Sequence, residues 1–506
     1  MKKDVGLIIL LLLLSIYAVT SYFNFSTKIN HFPTFPLDDA WIFWGFSKTF
    51  AEKGILSINA NTPEGPGVTS PAYMLILALL IKPGFTNEFL VNLIFNGALL
   101  FFSSFLIFRI VTFEIKDRLI ALFLSALFIL DSRIASIANS GMETLLFIFI
   151  QLLIFYLVQK NRFRLVFLFI GLGFWVRPEI LVLLPIILII YRKTINVKNL
   201  LFFFLPFLSY FIFLYVFTGS PWLNTGAAKY DFYSYISKWD YLETSLKYFG
   251  KTGLPFISLL FLISLYQKLK ENKMLKTLFF YMMIFWISFL IYLPVLYHFG
   301  RYVLPLIPLL MIAASFSLRF FSKKYRYLFF IILFISVIFA VYNFNQGKKA
   351  YARECRNFLQ RHIKLSLWIN KNLPGDISIA THDIGAIGYF TGREIIDIIG
   401  LLDKKAVGIS RYPEKINLFL NERRCDYIAV LNSWFVVLNS ELVYETPKKG
   451  RARFQIYKYT KETRVIRLDL FSHPTRFPQS RCFFMFQYSF FYYIIRNYEE
   501  AILKNG

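Results

Sequence analysis

Two adjacent carboxylates, Asp38 and Asp39 in Pro36-Leu37-Asp38-Asp39-Ala40-Trp41, follow shortly after the first long apolar run of the chain. Side by side there, one can accept a proton from an attacking hydroxyl while the other holds a metal or orients the acceptor. The competing explanation is a helix start, where aspartate suits the positive end of the dipole, and Ala40 to Lys53 does read as a helix. A third acid, Glu143 in Asn139-Ser140-Gly141-Met142-Glu143-Thr144, heads another apolar run. N-capping explains it about as well as catalysis does. Arg177-Pro178-Glu179 forms the tip of a short apolar hairpin, where an ion pair, with proline opening the next helix, is the plainer account. Lys229 and the group His298, Arg301 and Tyr302 add cations and a phenol. Such cations suit an anion, a lipid phosphate in particular, with headgroup snorkelling as the alternative.

Composition says what must position these residues. Hydrophobic residues make up 57 % of the chain, Phe occurs 60 times, and the mean hydropathy is +0.53. Soluble domains sit near about 45–50 % apolar. The apolar residues gather in charge-free runs, near 5–22, 89–108, 119–130, 145–158, 165–176, 180–191, 200–217, 254–265, 278–296, 303–318 and 328–342. That pattern predicts a polytopic α-helical membrane protein of about eleven transmembrane helices, each crossing roughly 30 Å of hydrocarbon. Pro71 to Ile81 is too short to cross and is placed at the outer interface. Met1-Lys2-Lys3 and the run after it resemble a signal peptide, but no small-residue cleavage pattern follows, which predicts a retained first helix.

The net charge of +26 does not indicate nucleic acid, because many Lys and Arg lie in short loops between apolar runs. With Lys2 and Lys3 cytoplasmic, the loops holding Arg109, Lys160, Arg192, Lys270 and Lys323 all fall on that same side, the positive-inside pattern. Every candidate residue above then falls on the outer side. The apolar runs carry essentially no ionisable groups, which counts against an ion-coupled transporter or flippase. A non-catalytic membrane scaffold that binds glycan is the second rival.

Composition changes after about residue 345. The expected organisation is a membrane domain, 1–345, with a catalytic first outer loop at 23–70; a small extracytoplasmic α/β domain, 346–470; and an aromatic, basic tail of unassigned role, 471–506. Strands are expected at 376–380, 394–399, 427–431 and 453–459, and helices at 356–372 and 413–424. His382 and Asp383 are the best polar candidates of this domain, although a strand-end turn explains them. Cys355, Cys425 and Cys482 lack metal-ligand spacing, and Cys355 could pair with Cys425 outside the cytoplasm.

Taken in order, several motifs resemble the GT-C superfamily of membrane glycosyltransferases. They are Leu37-Asp38-Asp39-Ala40-Trp41, Gly67-Val68-Thr69-Ser70-Pro71, Ser140-Gly141-Met142-Glu143-Thr144, Arg177-Pro178-Glu179, Leu223-Asn224-Thr225 with Ala228-Lys229, and His298 through Arg301-Tyr302. Asp383-Ile384-Gly385-Ala386-Ile387-Gly388-Tyr389, with Asp397 and Gly400-Leu401, is similar to a branch of bacterial cell-envelope arabinosyl- and mannosyltransferase-like proteins. The resemblance covers about residues 1–460. It implies a polyprenyl-phosphate-linked sugar as donor, a glycan, lipid or protein as acceptor, and a multi-pass enzyme of the inner membrane with its site facing outward. By motif match, Asp38, Asp39 and Glu143 are the catalytic acids. Lys229, His298, Arg301 and Tyr302 are the donor-phosphate residues, with Arg177 and Glu179 beside them. The superfamily's metal dependence varies, so a divalent metal, Mg or Mn, held by Asp39 and Glu143 is left open.

Overall fold

The computed structural model describes residues 4–250, 255–447 and 452–468. The tail at 471–506, with Cys482, lies outside the described residues, and so does the side chain of His298.

The apolar runs fold as helices because a buried backbone must satisfy its own hydrogen bonds in lipid. Val5–Asn30, Glu88–Ile115, Val197–Thr218, Lys273–Tyr292, Leu306–Lys324 and the helical stretch Tyr327–Asn372 contain windows long and apolar enough to cross a membrane. On Leu201–Thr218, Leu205 is 75 % exposed and Ile212 63 %, a display of apolar surface that calls for lipid rather than water. The chain is a multi-pass membrane protein. Polar groups inside the bundle find one another: Gln151 donates to the Pro305 carbonyl at 2.9 Å and accepts from the Tyr281 hydroxyl at 3.2 Å.

The count of about eleven spans is not reached by length. Six helices among the described residues qualify, or seven if Arg118–Leu130 and Ser132–Ala138, bent by 59°, form one broken span. Four further apolar helices, Pro71–Ile81, Thr144–Gln159, Phe163–Phe174 and Pro178–Ile190, are shorter. Pro71–Ile81, at 11 residues, rises only about 16 Å, about half the hydrocarbon thickness.

The last span does not stop at its expected end. Arg326–Phe358 runs on for 33 residues, through a π-turn at Leu359–Ile363, into Lys364–Asn372. Residues 343–355 are polar, but most of them favour helix, so the rod leaves the apolar layer unbroken.

Seven strands follow: β1 Ser378–Thr381, β2 Glu394–Asp397, β3 Tyr427–Leu431, β4 Phe435–Leu438, β5 Leu442–Glu445, β6 Phe454–Lys458 and β7 Arg464–Arg467. The main sheet has the order β2-β1-β3-β6-β5, and β4 pairs with β7 separately. β1 is parallel to β2 and β3, with Ile379 opposite Ile395 and Tyr427. Parallel pairing needs crossovers, supplied by the helices Ile384–Thr391 and Pro413–Glu422. β6 is antiparallel to β3 and β5. The four expected strands and both expected helices form. β4, β5 and β7 are additional, each only four residues long. The helix Ile384–Thr391 also goes unforeseen, because two glycines in eight residues depress its helix propensity. Cys355 and Cys425 are both buried free thiols, so the pairing considered for them does not form. Burial pushes the Cys425 thiol up to about 12.

The membrane helices and the sheet region together form one compact unit up to Leu468. The first loop is one of the joints between them. Asn59 Nδ2 donates to the carbonyls of Gly388 and Arg393, each at 3.0 Å, and the Ile395 amide donates to Thr62 Oγ1 at 3.0 Å.

Candidate active site

Asp38 and Asp39 open the helix Asp38–Lys53, and neither side chain caps it. Consecutive helical positions point about 100° apart, so the two carboxylates serve different neighbours.

Asp39 lines a small cleft together with Ile42, Phe43, Gly67, Thr69, Lys229 and Leu401. Arg301 Nη2 donates to Asp39 Oδ2 at 2.5 Å, and Lys229 Nζ lies 3.5 Å from the same oxygen. Arg301 also donates to the Tyr302 hydroxyl at 3.0 Å, and its buried Nε has no hydrogen-bond partner. Arg301 is 3 % exposed, so it does not snorkel to a headgroup layer. Tyr233 stands near Asp39, Arg301 and Tyr302, close enough for all three to act on its ionisation. Gly67 lines the same cleft, close against the Leu402 side chain, whose Cδ2 a Cβ there would meet at 2.4 Å. The facing loop is held in turn by Asp397, whose carboxylate accepts from the amides of Ile399, Gly400 and Leu402.

Asp38 turns the other way. It accepts from the amides of Gly385 at 2.7 Å and Ala386 at 2.8 Å, at the positive end of the helix Ile384–Thr391. Gly385 permits this approach, because a Cβ there would lie 2.2 Å from the Asp38 carbonyl oxygen. Behind it stands Asp383, whose Oδ2 lies 2.8 Å from His362 Nε2 and 3.6 Å from His382 Nε2. Burial, and then the Asp383 charge, push the Asp38 carboxyl up to about 7. Burial acts on Asp383 as well, but the imidazoles of His382 and His362 outweigh it and hold that carboxyl below its usual range.

Glu143 precedes the helix Thr144–Gln159 without making a side-chain cap, so capping does not account for it. It is 6 % exposed, its Oε2 is buried with no hydrogen-bond partner, and its charge acts on Arg177 and Arg301. Arg177 donates to Glu179 at 3.0 Å and to the Arg301 carbonyl at 3.2 Å, while Pro178 opens a short 3-10 helix. The ion pair expected from sequence is present, and it buttresses the backbone of Arg301.

The structure thus gathers Asp39, Lys229, Arg301 and Tyr302, backed by Glu143, Arg177 and Glu179, and assigns Asp38 to the sheet region. Sequence reasoning missed Tyr233, Gly385 as the seat of Asp38, and His362. Only Gly385 carried a signal, as part of the quoted Asp383–Tyr389 motif. His362 sits within a helix and has no motif around it.

A divalent metal at Asp39 and Glu143 meets poor chemistry here. Asp39 already faces two cations, and Glu143 lies beside Arg177 and Arg301. Among the described residues no group of three or more His, Cys, Asp or Glu is arranged to hold a metal. The chemistry below uses the protein's own cations.

A membrane bundle, a first loop bearing acids and a sheet region docked upon that loop make a fold similar to those of solved membrane proteins. ArnT from Cupriavidus metallidurans bound to undecaprenyl phosphate aligns with TM-score 0.60 and 11 % identity over 88 % of this chain and 97 % of that one. Its apo form aligns with TM-score 0.58 and 12 % identity over 90 % and 98 %. The apo oligosaccharyltransferase of Archaeoglobus fulgidus aligns with TM-score 0.56 and 11 % identity over 84 % and 69 %. At such identities the likeness is one of fold. Residues 350–486 match a family described as a domain of unknown function (DUF8728). No curated protein matches the sequence.

Proposed function

We propose that this protein is an inverting glycosyltransferase of the bacterial inner membrane. It moves a sugar from a polyprenyl-phosphate donor to a glycan, lipid or protein acceptor on the outer face, where the sheet region also lies. The observation that carries this reading is Asp39 in a cleft with Lys229 and paired to the buried Arg301, an acid beside two cations. The GT-C fold supports it, as does the undecaprenyl phosphate held by the ArnT neighbour.

The chemistry follows from charge. Glycosyl transfer passes through an oxocarbenium-like state in which the leaving oxygen gains negative charge. The acceptor oxygen bonds to the anomeric carbon as the carbon–phosphate oxygen bond breaks, and the acceptor proton goes to Asp39. A single displacement inverts the anomeric centre. Lys229 and Arg301 stabilise the departing polyprenyl phosphate. In the free protein the same cations pair with Asp39, and a donor phosphate competes for them. The Glu143 charge acts on Arg301, and Glu143 assists through the acceptor.

A panel of labelled polyprenyl-phosphate sugars, offered to the protein in nanodiscs with candidate acceptors, tests this reading. A product of opposite anomeric configuration to the donor supports it, and retention of configuration rules out the single displacement.

A further inference from the structure

The sheet region grips both segments that carry the charges of the cleft. One grip is the Asp38 carboxylate on the amides of Gly385 and Ala386, next to Asp39 in the chain. The other lies on the helix Thr225–Phe232, which carries Lys229. Arg411 Nη2 lies 2.6 Å from Asp231 Oδ1 and donates to Ser234 Oγ at 2.7 Å and to the Asp231 carbonyl at 3.1 Å. Arg467, 1 % exposed, donates to the Phe232 carbonyl at 2.5 Å and to Ser410 Oγ at 3.0 Å, with its guanidinium 3.9 Å over the Phe232 ring.

Both grips use the helix dipole. The Asp38 carboxyl accepts at the positive end of Ile384–Thr391, and two cations sit at the negative end of Thr225–Phe232. An eight-residue helix does not persist alone, and this one buries only Thr225, Ala228 and Phe232. Burying the Arg467 guanidinium is costly unless its donors are used, and they are shared between this helix and Ser410. We propose that the sheet region is a two-sided clamp that sets Lys229 against Asp39, with Arg411 and Arg467 as positioning residues. The proposal rests on the cleft being the donor-phosphate site.

Arg411 is the residue to change, because it is partly exposed and the fold does not depend on it as it does on buried Arg467. Full-length wild type, Arg411→Ala, and the charge swap Arg411→Asp with Asp231→Arg are compared in nanodiscs. Hydrogen–deuterium exchange across 225–232 rises about tenfold in Arg411→Ala while the membrane helices are unchanged, and the swap reverses most of the rise. Undecaprenyl phosphate, used as the probe, binds several-fold more weakly to Arg411→Ala and recovers in the swap. Unchanged exchange across 225–232 overturns the clamp, and so does faster exchange with undiminished probe affinity. If wild type binds no undecaprenyl phosphate, the donor reading fails, and the exchange result still decides whether the sheet region holds this helix.

Discussion

Arg301 reaches across 262 residues of sequence to donate to Asp39 at 2.5 Å, and in doing so joins the first loop to the last membrane-side turn of the site. Arg301 is backed by Tyr302, Arg177 and Met142, so its guanidinium is fixed before any ligand arrives. Pre-fixed charge of this kind is what stabilises a developing anion without reorganisation.

That fixed charge separates binding from chemistry. Arg301→Lys keeps the charge but loses the planar guanidinium, whose Nη2 serves both Asp39 and Tyr302 while Nη1 reaches Met142. It is expected to lower kcat about tenfold or more, because the leaving phosphate is stabilised less well. Lys229→Met, at the rim, is expected chiefly to raise the KM for the donor. Steady-state kinetics with a fixed acceptor distinguishes the two.

Stability carries a signature of Asp38. Its carboxyl has an ordinary value of 3.8 and stands at about 7 in the folded protein. Between those values the folded state keeps a proton that the unfolded chain has lost, so stability falls as pH rises. The contribution is complete below about pH 4 and is lost toward pH 7. Asp383 is held low, and its contribution is lost only as pH falls below its ordinary value, outside this window. Thermal unfolding in detergent is expected to show Tm falling over this range in wild type, with a flatter profile in Asp38→Asn.

Much of this site was legible in the residues, and the rest was hidden for physical reasons. Asp39, Glu143, Lys229 and Arg301 stood out because they sit at the outer ends of charge-free runs. The split between Asp38 and Asp39 could not be read, since it depends on Gly385, which lies 347 residues from Asp38. The parallel core of the sheet was visible in β-branched runs. β7, Arg-Val-Ile-Arg, was not, because its pairing with β4 buries Arg467 where sequence suggests exposure. The unbroken helix Arg326–Phe358 was split in expectation because polarity, not helix propensity, changes along it.

Gly385→Ala tests the seat of Asp38. A Cβ 2.2 Å from the Asp38 carbonyl and 2.8 Å from its Oδ2 must push the two segments apart. Overpacking of this kind costs about 1–3 kcal/mol. A lower Tm is expected, together with a loss of activity larger than that of Gly375→Ala, where a Cβ meets nothing within 4 Å.

Because two cations already face Asp39, the account expects prolonged EDTA treatment to leave transfer unchanged and added Mg or Mn to give no stimulation. A metal-restored activity would move Asp39 from base to ligand.

The most direct test of the central claim is release of polyprenyl phosphate by purified protein in nanodiscs, with wild type, Asp39→Asn and Asp38→Asn side by side. General-base catalysis is worth about 10²–10⁴-fold, and a loss of that size is expected in Asp39→Asn, with a smaller loss in Asp38→Asn. Full release by folded Asp39→Asn would contradict the account.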